Sequence, residues 1–327
     1  MPAPASGSRS PAARCLASPR APRSRPKSRA EFLDKFADRL TALVEERRSQ
    51  VCLGLDPDPA KLLPGIAVEA DGDASPAVSA GRAVAAHCRE LIARVGPHCV
   101  AVKPQLACFE RLGPPGWEAL GAAREAAREA GLIFLADGKR GDVPVTAAAY
   151  AQALVGSTPT PWGEVPGLGA DAFTANPLLG RDALEPLVAA CEDAGAGIFV
   201  LVRTSNPGAA DLMDAPSPEA PLHERLARLV DELSGRLLGE GGLSGLGAVV
   251  GATEPGHIAR LRELMPRSVF LLPGVGAQGG DPALLGAAFA PGPAAAIVSS
   301  SRGIAGAPDP AVAAEELRTT VWEISNA

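Results

Sequence analysis

The chain has 327 residues, 46% of them hydrophobic and only 4% aromatic, and carries a formal net charge of −6. It contains no run of about 18 uncharged apolar residues, so the composition predicts a soluble globular protein without a membrane span. Seven cations and no acid fall within residues 1–30, which leaves the remainder strongly acidic and poorly suited to binding nucleic acid.

Residues 1–30 are rich in Pro, Ser, Ala and Arg and show no apolar periodicity. Such a segment cannot bury enough apolar surface to fold alone, so it is predicted to be a disordered tail. Its Arg-rich, acid-free composition leaves an organelle transit peptide open as an alternative. No apolar core of a secretory signal is visible.

From residue 32 onward, short apolar runs alternate with stretches of helical character. The predicted strands are 51–55, 99–102, 132–136, 170–174, 197–202, 247–250, 269–272 and 294–299. The predicted helices are 79–95, 117–130, 143–154, 177–194, 222–238, 255–264 and 310–324. Eight strands alternating with helices favour an α/β fold, a TIM (β/α)8 barrel forming a single domain over residues 31–327. A doubly wound open sheet is the alternative.

Two connections, 156–169 and 206–221, are long and rich in Pro and Gly. Loops of that length are usually functional lids or disordered insertions. The six cysteines form no CxxC pair, which indicates buried, reduced thiols in a cytoplasmic protein. The four histidines share no metal-ligand spacing, so no metal site is predicted from them.

The first three predicted strands end in charged residues. Asp56 follows the first strand, Lys103 the second, and Asp137 and Lys139 the third. Barrel active sites lie at the carboxyl ends of the strands, and neighbouring strands are about 4.8 Å apart. We therefore expect these four side chains to form one connected network, the alternative being that each is a solvated loop residue.

Two glycine- and serine-rich segments follow the last two predicted strands, at 273–280 and 299–304. Loops in these positions of a barrel frequently bind phosphate, because their backbone N–H groups are accessible. Arg302 could add a bidentate charged contact. A tight connection between strand and helix is the alternative explanation for the glycines.

The segment 202–208 ends the fifth predicted strand with hydroxyl and amide side chains. Ser205 and Asn206 are suited to recognising a polar heterocycle. Residues of these types are equally common in turns and helix caps, so both interpretations stay open.

Five motifs together resemble the orotidine 5′-phosphate decarboxylase family, and within it the bacterial type 2 branch. They are Asp-x-Lys-x-x-Asp followed by Val-Pro-Val-Thr at 137–146, Val-Lys-Pro-Gln at 102–105, Thr-Ser-Asn-Pro at 204–207, Pro-Gly-Val-Gly-Ala-Gln at 273–278 and Ser-Arg-Gly-Ile at 301–304. The resemblance covers roughly residues 31–325. It implies a homodimeric (β/α)8 barrel that uses no metal or organic cofactor. Such an enzyme converts orotidine 5′-monophosphate to UMP and CO2, the last step of de novo pyrimidine synthesis.

The resemblance also implies roles for the catalytic residues. Lys139 is expected to donate a proton to C6, Asp137 to lie beside the departing CO2, and Lys103 to link Asp137 to the ribose. Asp142 is expected to enter the active site of the partner subunit. Gly138 stands where the family more commonly has Ala, which adds backbone freedom between two catalytic positions.

Further residues are expected to bind the substrate. Asp56 would bind the ribose hydroxyls, Ser205 the pyrimidine amide edge, and Gln278 with Arg302 the phosphate, while Thr146 would cross the dimer interface with Asp142. Segment 206–221 and the loop after the seventh strand are candidate lids. There are two alternatives to this function. One is an Mg²⁺-dependent enzyme that resembles the keto-gulonate-phosphate decarboxylases and hexulose-phosphate synthases. The other is a non-catalytic nucleotide-binding barrel.

Overall fold

The structure is a computed structural model that describes Met1 and residues 35–66, 74–276 and 279–327. The predicted tail, apart from Met1, and the predicted domain boundary at residue 31 lie outside these residues. So does Gln278, one of the two expected phosphate ligands.

Strands and helices alternate along the described chain. The strands are β1 (Val51–Leu55), β2 (Ala101–Pro104), β3 (Ile133–Arg140), β4 (Ser157–Thr160), β5 (Gly163–Pro166), β6 (Ala172–Ala175), β7 (Gly197–Arg203), β8 (Ser244–Val250), β9 (Ser268–Pro273) and β10 (Ala296–Ser300). The helices are α1 (Phe36–Arg47), α2 (Pro76–Val95), α3 (Leu106–Glu110), α4 (Pro114–Glu129), α5 (Pro144–Leu154), α6 (Arg181–Ala194), α7 (Ala209–Leu212), α8 (Leu222–Ser234), α9 (Pro255–Leu264), α10 (Arg302–Ala305) and α11 (Pro310–Ser325).

Eight of the strands close into one parallel barrel. Their order is β1-β10-β9-β8-β7-β6-β3-β2, and β1 pairs in parallel with both β2 and β10. These strands are almost wholly buried, as continuous apolar runs between a filled interior and a helical layer must be. The predicted TIM barrel is confirmed, and the doubly wound open sheet is excluded.

The interior of the barrel is closed at its amino-terminal end by α1. Phe36 packs edge-on against Phe199 of β7, with ring centroids 5.8 Å apart. A Cβ atom on Gly197 would lie 2.6 Å from the Phe36 ring, so only glycine fits at the start of β7. A second, larger apolar cluster fills the space between the strands and the outer helices. The packed strands therefore hold the residues at the opposite, carboxyl end of the barrel in fixed positions.

Several elements differ from the sequence predictions, among them helix α1, which was not predicted. Strand β3 does not end at residue 136 but continues to Arg140, because the Asn176 N–H donates to the Arg140 carbonyl oxygen at 2.8 Å. The connection 156–169 has regular structure of its own: β4 and β5 form an antiparallel hairpin within it. The connection 206–221 contains the short helix α7.

Cysteines 52, 88, 99, 108 and 191 are free thiols, and four of these five are buried, as predicted. Burial raises the pKa of Cys88 to about 12, so this thiol stays protonated and unreactive. Within the described part of the chain, no helix is long and apolar enough to cross a membrane.

We predict that Arg262, a buried residue of α9, is essential for stability. Its guanidinium donates to the carbonyl oxygens of four residues at 2.8–3.0 Å and stacks on the Phe270 ring. Arg262→Met would leave those acceptors unsatisfied, so urea denaturation should show a loss of about 3 kcal/mol in unfolding free energy.

The matched control lies two residues earlier on the same helix. Arg260 is partly exposed and pairs with Glu224 and Glu263. Arg260→Met should change the unfolding free energy far less than Arg262→Met does, because ion pairs in solvent contribute little. Equal losses in the two variants would contradict a special role for Arg262.

Candidate active site

Asp137 lies at the centre of a chain of charges at the carboxyl end of the barrel. Lys103 of β2 donates from Nζ to Asp137 Oδ2 at 2.6 Å, and Lys139 donates from Nζ to Asp137 Oδ1 at 2.6 Å. Asp137 and Lys139 lie two residues apart near the end of β3. The expected network is therefore present for these three residues.

The charges in this chain shift the pKa values of Asp137 and Lys103. Burial alone would raise the pKa of Asp137, but the charges of Lys103 and Lys139 and their hydrogen bonds outweigh it and hold the pKa well below its usual range. Burial likewise opposes the charge on Lys103, yet Asp137 and Asp56 raise the pKa of Lys103 above its ordinary value. Both side chains therefore remain ionised at neutral pH.

Sequence reasoning missed Thr174 on β6. Its hydroxyl donates to Asp137 Oδ1 at 2.8 Å and accepts from the backbone N–H of Lys139 at 2.8 Å. Lys139 has a φ of 47°, which is uncommon for a residue with a side chain, so this backbone hydrogen bond helps to hold a strained conformation. Thr174 closes the predicted strand 170–174, so the rule that selected Lys103 could have found it.

Gln105 Nε2 completes the surroundings of Asp137 by donating to Oδ2 at 3.3 Å. Each carboxylate oxygen of Asp137 thus accepts two hydrogen bonds, which uses its two lone pairs. With its lone pairs engaged and two ammonium groups beside it, Asp137 is unsuited to binding a divalent cation. The exposed ammonium of Lys139 is instead available to an anionic or electron-rich group.

Asp56 is not bonded directly into this chain. It is exposed at the end of β1 and acts on Lys103 through its charge. Asp56, Lys103 and Arg302 nevertheless line one cavity of about 290 Å³, together with the backbone of Gly274 and Gly303. The same cavity is thus lined by Lys103 of the charged chain and by an arginine and glycine-rich segments, which are suited to binding phosphate.

Ser205 and Asn206 follow β7 and line a neighbouring cavity of about 670 Å³. Asn206 Oδ1 accepts a hydrogen bond from the Thr204 hydroxyl at 2.7 Å, so these two side chains stabilise the turn that follows β7. Arg203 at the end of β7 forms a two-pronged ion pair with Asp214, with both N···O distances 2.9 Å.

Asp142 and Thr146 lie at the start of α5 and are half-buried. The Asp142 carboxylate accepts a hydrogen bond from the Val143 N–H at 2.7 Å rather than pairing with Lys139 of its own chain. Within one subunit, Lys139 therefore contacts the carboxylate of Asp137 but not that of Asp142.

The charged chain predicts a pH-dependent contribution of Asp137 to stability. Because the folded pKa of Asp137 lies below its unfolded value of about 3.9, its stabilisation is complete above that pH and is lost as the pH falls toward the folded pKa. Urea denaturation should show Asp137→Asn to be less stable by about 3 kcal/mol at pH 7, and by less near pH 3. A gap that does not change with pH would contradict the ion-pair account.

Comparisons with known proteins show the family of the chain. The model of the orotidine 5′-phosphate decarboxylase / HUMPS family matches residues 49–317. The orotidine 5′-phosphate decarboxylase of Rhodopirellula baltica is 43% identical over 272 residues, which cover 82% of this chain and 87% of that protein.

Two solved structures are also similar. Leishmania donovani OMP decarboxylase has a TM-score of 0.67 and 31% identity, covering 88% of this chain and 99% of that one. Leishmania donovani UMP synthase has a TM-score of 0.71 and 33% identity over 90% of this chain, which spans only 57% of that longer protein. With the family match extending over most of its length, the chain belongs to the orotidine 5′-phosphate decarboxylase / HUMPS family.

Proposed function

We propose that this protein decarboxylates orotidine 5′-monophosphate to UMP and CO2, as an enzyme of pyrimidine biosynthesis in the cytoplasm. The observation that carries the proposal is the Lys103-Asp137-Lys139 chain, which shares a cavity with Arg302 through Lys103. The name of the Rhodopirellula baltica relative supports this reaction over others known in barrels. The five motifs favour the bacterial type 2 branch.

The reaction breaks the bond between C6 and the carboxylate carbon and leaves the electron pair on C6. That carbanion has little resonance stabilisation, so the site must offset its charge and supply a proton. Lys139 can do both, because its ammonium is fixed by Asp137 and is partly exposed. The Lys139 proton moves to C6, and the neutral amine then regains a proton from water.

The rest of the substrate would extend away from Lys139. Arg302 and Gln278 would hold the phosphate, Asp56 and Lys103 the ribose, and Ser205 with Asn206 the pyrimidine. Arg302 and Asp56 line the same cavity, which supports this direction. Phosphate binding far from C6 supplies energy that can order the candidate lid at 206–221 and orient the reacting end.

We infer a homodimer with shared active sites. Val143 and Val145 beside Asp142 are 53% and 85% exposed, which is costly for apolar side chains and suits an interface. Asp142 and Thr146 from one subunit would then enter the site of the other. The partner's Asp142 would provide the second carboxylate near Lys139.

The direct test is to follow the loss of orotidylate ultraviolet absorbance on mixing with the full-length protein. We expect turnover that EDTA does not reduce. Turnover abolished by EDTA and restored by Mg²⁺ would favour a metal-dependent relative in the same family. Tight UMP binding without CO2 release would instead identify a nucleotide-binding barrel.

Lys139→Ala should lower kcat by at least about a thousandfold, because it removes both the proton donor and the cation beside C6. The absorbance assay measures this loss. Lys35→Ala is the matched control, since Lys35 lies before α1 at the opposite end of the barrel. Appreciable turnover by folded Lys139→Ala protein would overturn the mechanism.

Mixing two inactive variants tests the shared site. Lys139→Ala and Asp142→Ala protein, unfolded and refolded together, should form heterodimers in which one of the two sites has both groups intact. Activity should return to about one quarter of the wild-type value if dimers assort randomly and inactive sites contribute nothing. No recovery from verified mixed dimers would exclude donation of Asp142 in trans.

A further inference from the structure

The pairing of β3 with β6 is interrupted at the place where the charged chain lies. The register shifts between Ala136 and Arg140, so that three residues of β3 stand opposite the single residue Thr174 of β6. A bulge of this kind leaves backbone groups without their usual partners in the ladder and changes the direction of side chains. Asp137 and Lys139 both belong to the bulge, so its conformation decides how their side chains face each other.

The Lys139 N–H finds its hydrogen-bond acceptor on a side chain rather than on the backbone of β6. The Thr174 hydroxyl accepts from it at 2.8 Å. Lys139 has a φ of 47°, in the left-handed region, and a residue with a side chain keeps such a conformation only where its surroundings hold it. Thr174 is only 1% exposed, so solvent does not compete for its hydroxyl. This hydrogen bond therefore holds the backbone of Lys139 in place.

The same hydroxyl also orients the carboxylate that binds the lysine. It donates to Asp137 Oδ1 at 2.8 Å, and this oxygen accepts from Lys139 Nζ at 2.6 Å. A hydroxyl has one proton and two lone pairs, so Thr174 can donate to the carboxylate and accept from the backbone N–H at the same time. Both ends of the Lys139 side chain, its backbone and its ammonium, are thereby fixed relative to β6.

The residue between the two charged side chains of the bulge cannot supply this restraint. Gly138 has no side chain, and glycine is the residue with the greatest conformational freedom. A Cβ atom on Gly138 would lie 2.7 Å from Leu106 Cδ1, so the bulge packs closely against α3 on that side. Contact with α3 limits the space of the bulge, while the hydrogen bonds of Thr174 fix its direction.

We propose that Thr174 is a positioning residue for proton transfer, which acts through Lys139 and Asp137 by fixing the direction of the lysine ammonium. The inference rests on the proposed decarboxylation and deepens it. Proton delivery to C6 requires an ammonium at hydrogen-bond distance, and a misplacement of about 1 Å can lower a rate about a hundredfold. Other groups, among them Arg302 and Asp56, would bind the substrate, so loss of the hydroxyl should lower kcat rather than raise KM.

The test compares Thr174→Val, which keeps the shape of the side chain but loses the hydroxyl, with Thr174→Ser, which keeps the hydroxyl. In the full-length protein, Thr174→Val should lower kcat for orotidylate at least about tenfold, while KM and the affinity for UMP stay nearly unchanged. Thr174→Ser should recover most of the lost rate. Hydrogen exchange followed by mass spectrometry should be faster in the peptide containing Lys139 for Thr174→Val, and close to the wild type for Thr174→Ser.

Thr41→Val is the matched control, because Thr41 lies in α1 at the opposite end of the barrel and its hydroxyl donates to the Ala37 carbonyl oxygen. It should leave kcat unchanged. If Thr174→Val fails to fold, Thr174→Cys takes its place, because a thiol is only a weak hydrogen-bonding group and should also lower kcat.

The two proposals fail in different ways. No UMP formation by the wild type would overturn the proposed function and, with it, this role of Thr174. Turnover by the wild type that a folded variant without the hydroxyl retains would overturn only the role of Thr174. An equal loss of kcat in Thr174→Ser, or a loss that appears in KM and UMP affinity instead of kcat, would also overturn it.

Discussion

The paired hydrogen bonds from Lys103 and Lys139 to Asp137 are the interaction on which the site depends. A buried carboxylate is stable as an anion only when it is paired and hydrogen-bonded, and Asp137 has two ammonium groups, Thr174 and Gln105. That arrangement fixes the partly exposed ammonium of Lys139 at the carboxyl end of the barrel. Through these hydrogen bonds the Asp137 carboxylate links side chains of three strands, β2, β3 and β6.

The barrel makes such a cluster possible. Lys103, Asp137 and Thr174 lie on three neighbouring strands, β2, β3 and β6, whose carboxyl ends meet at one rim. Phe36 and Phe199 close the opposite end, so the strands cannot shift relative to one another without disrupting the core. Rigid strands thus position the reacting groups.

The sequence predicted much of this fold, because apolar runs and the charges that end them are local signals. Strand β1 and helix α9 have the predicted bounds. The β4–β5 hairpin was missed because its Pro and Gly residues resemble a loop, and its pairing is visible only in three dimensions. Thr174 was missed for a related reason: its contact with Asp137 joins residues distant in sequence.

Replacing the Lys139 ammonium chemically tests the central claim most directly. Lys139→Cys should be inactive, and aminoethylation of the introduced thiol should restore an ammonium at nearly the same distance from Asp137. Recovery of decarboxylation in the treated variant, with the wild type treated identically as reference, is the predicted result. Complete modification of the introduced thiol, verified by mass spectrometry, without any recovery would contradict the account, as would substantial activity before treatment.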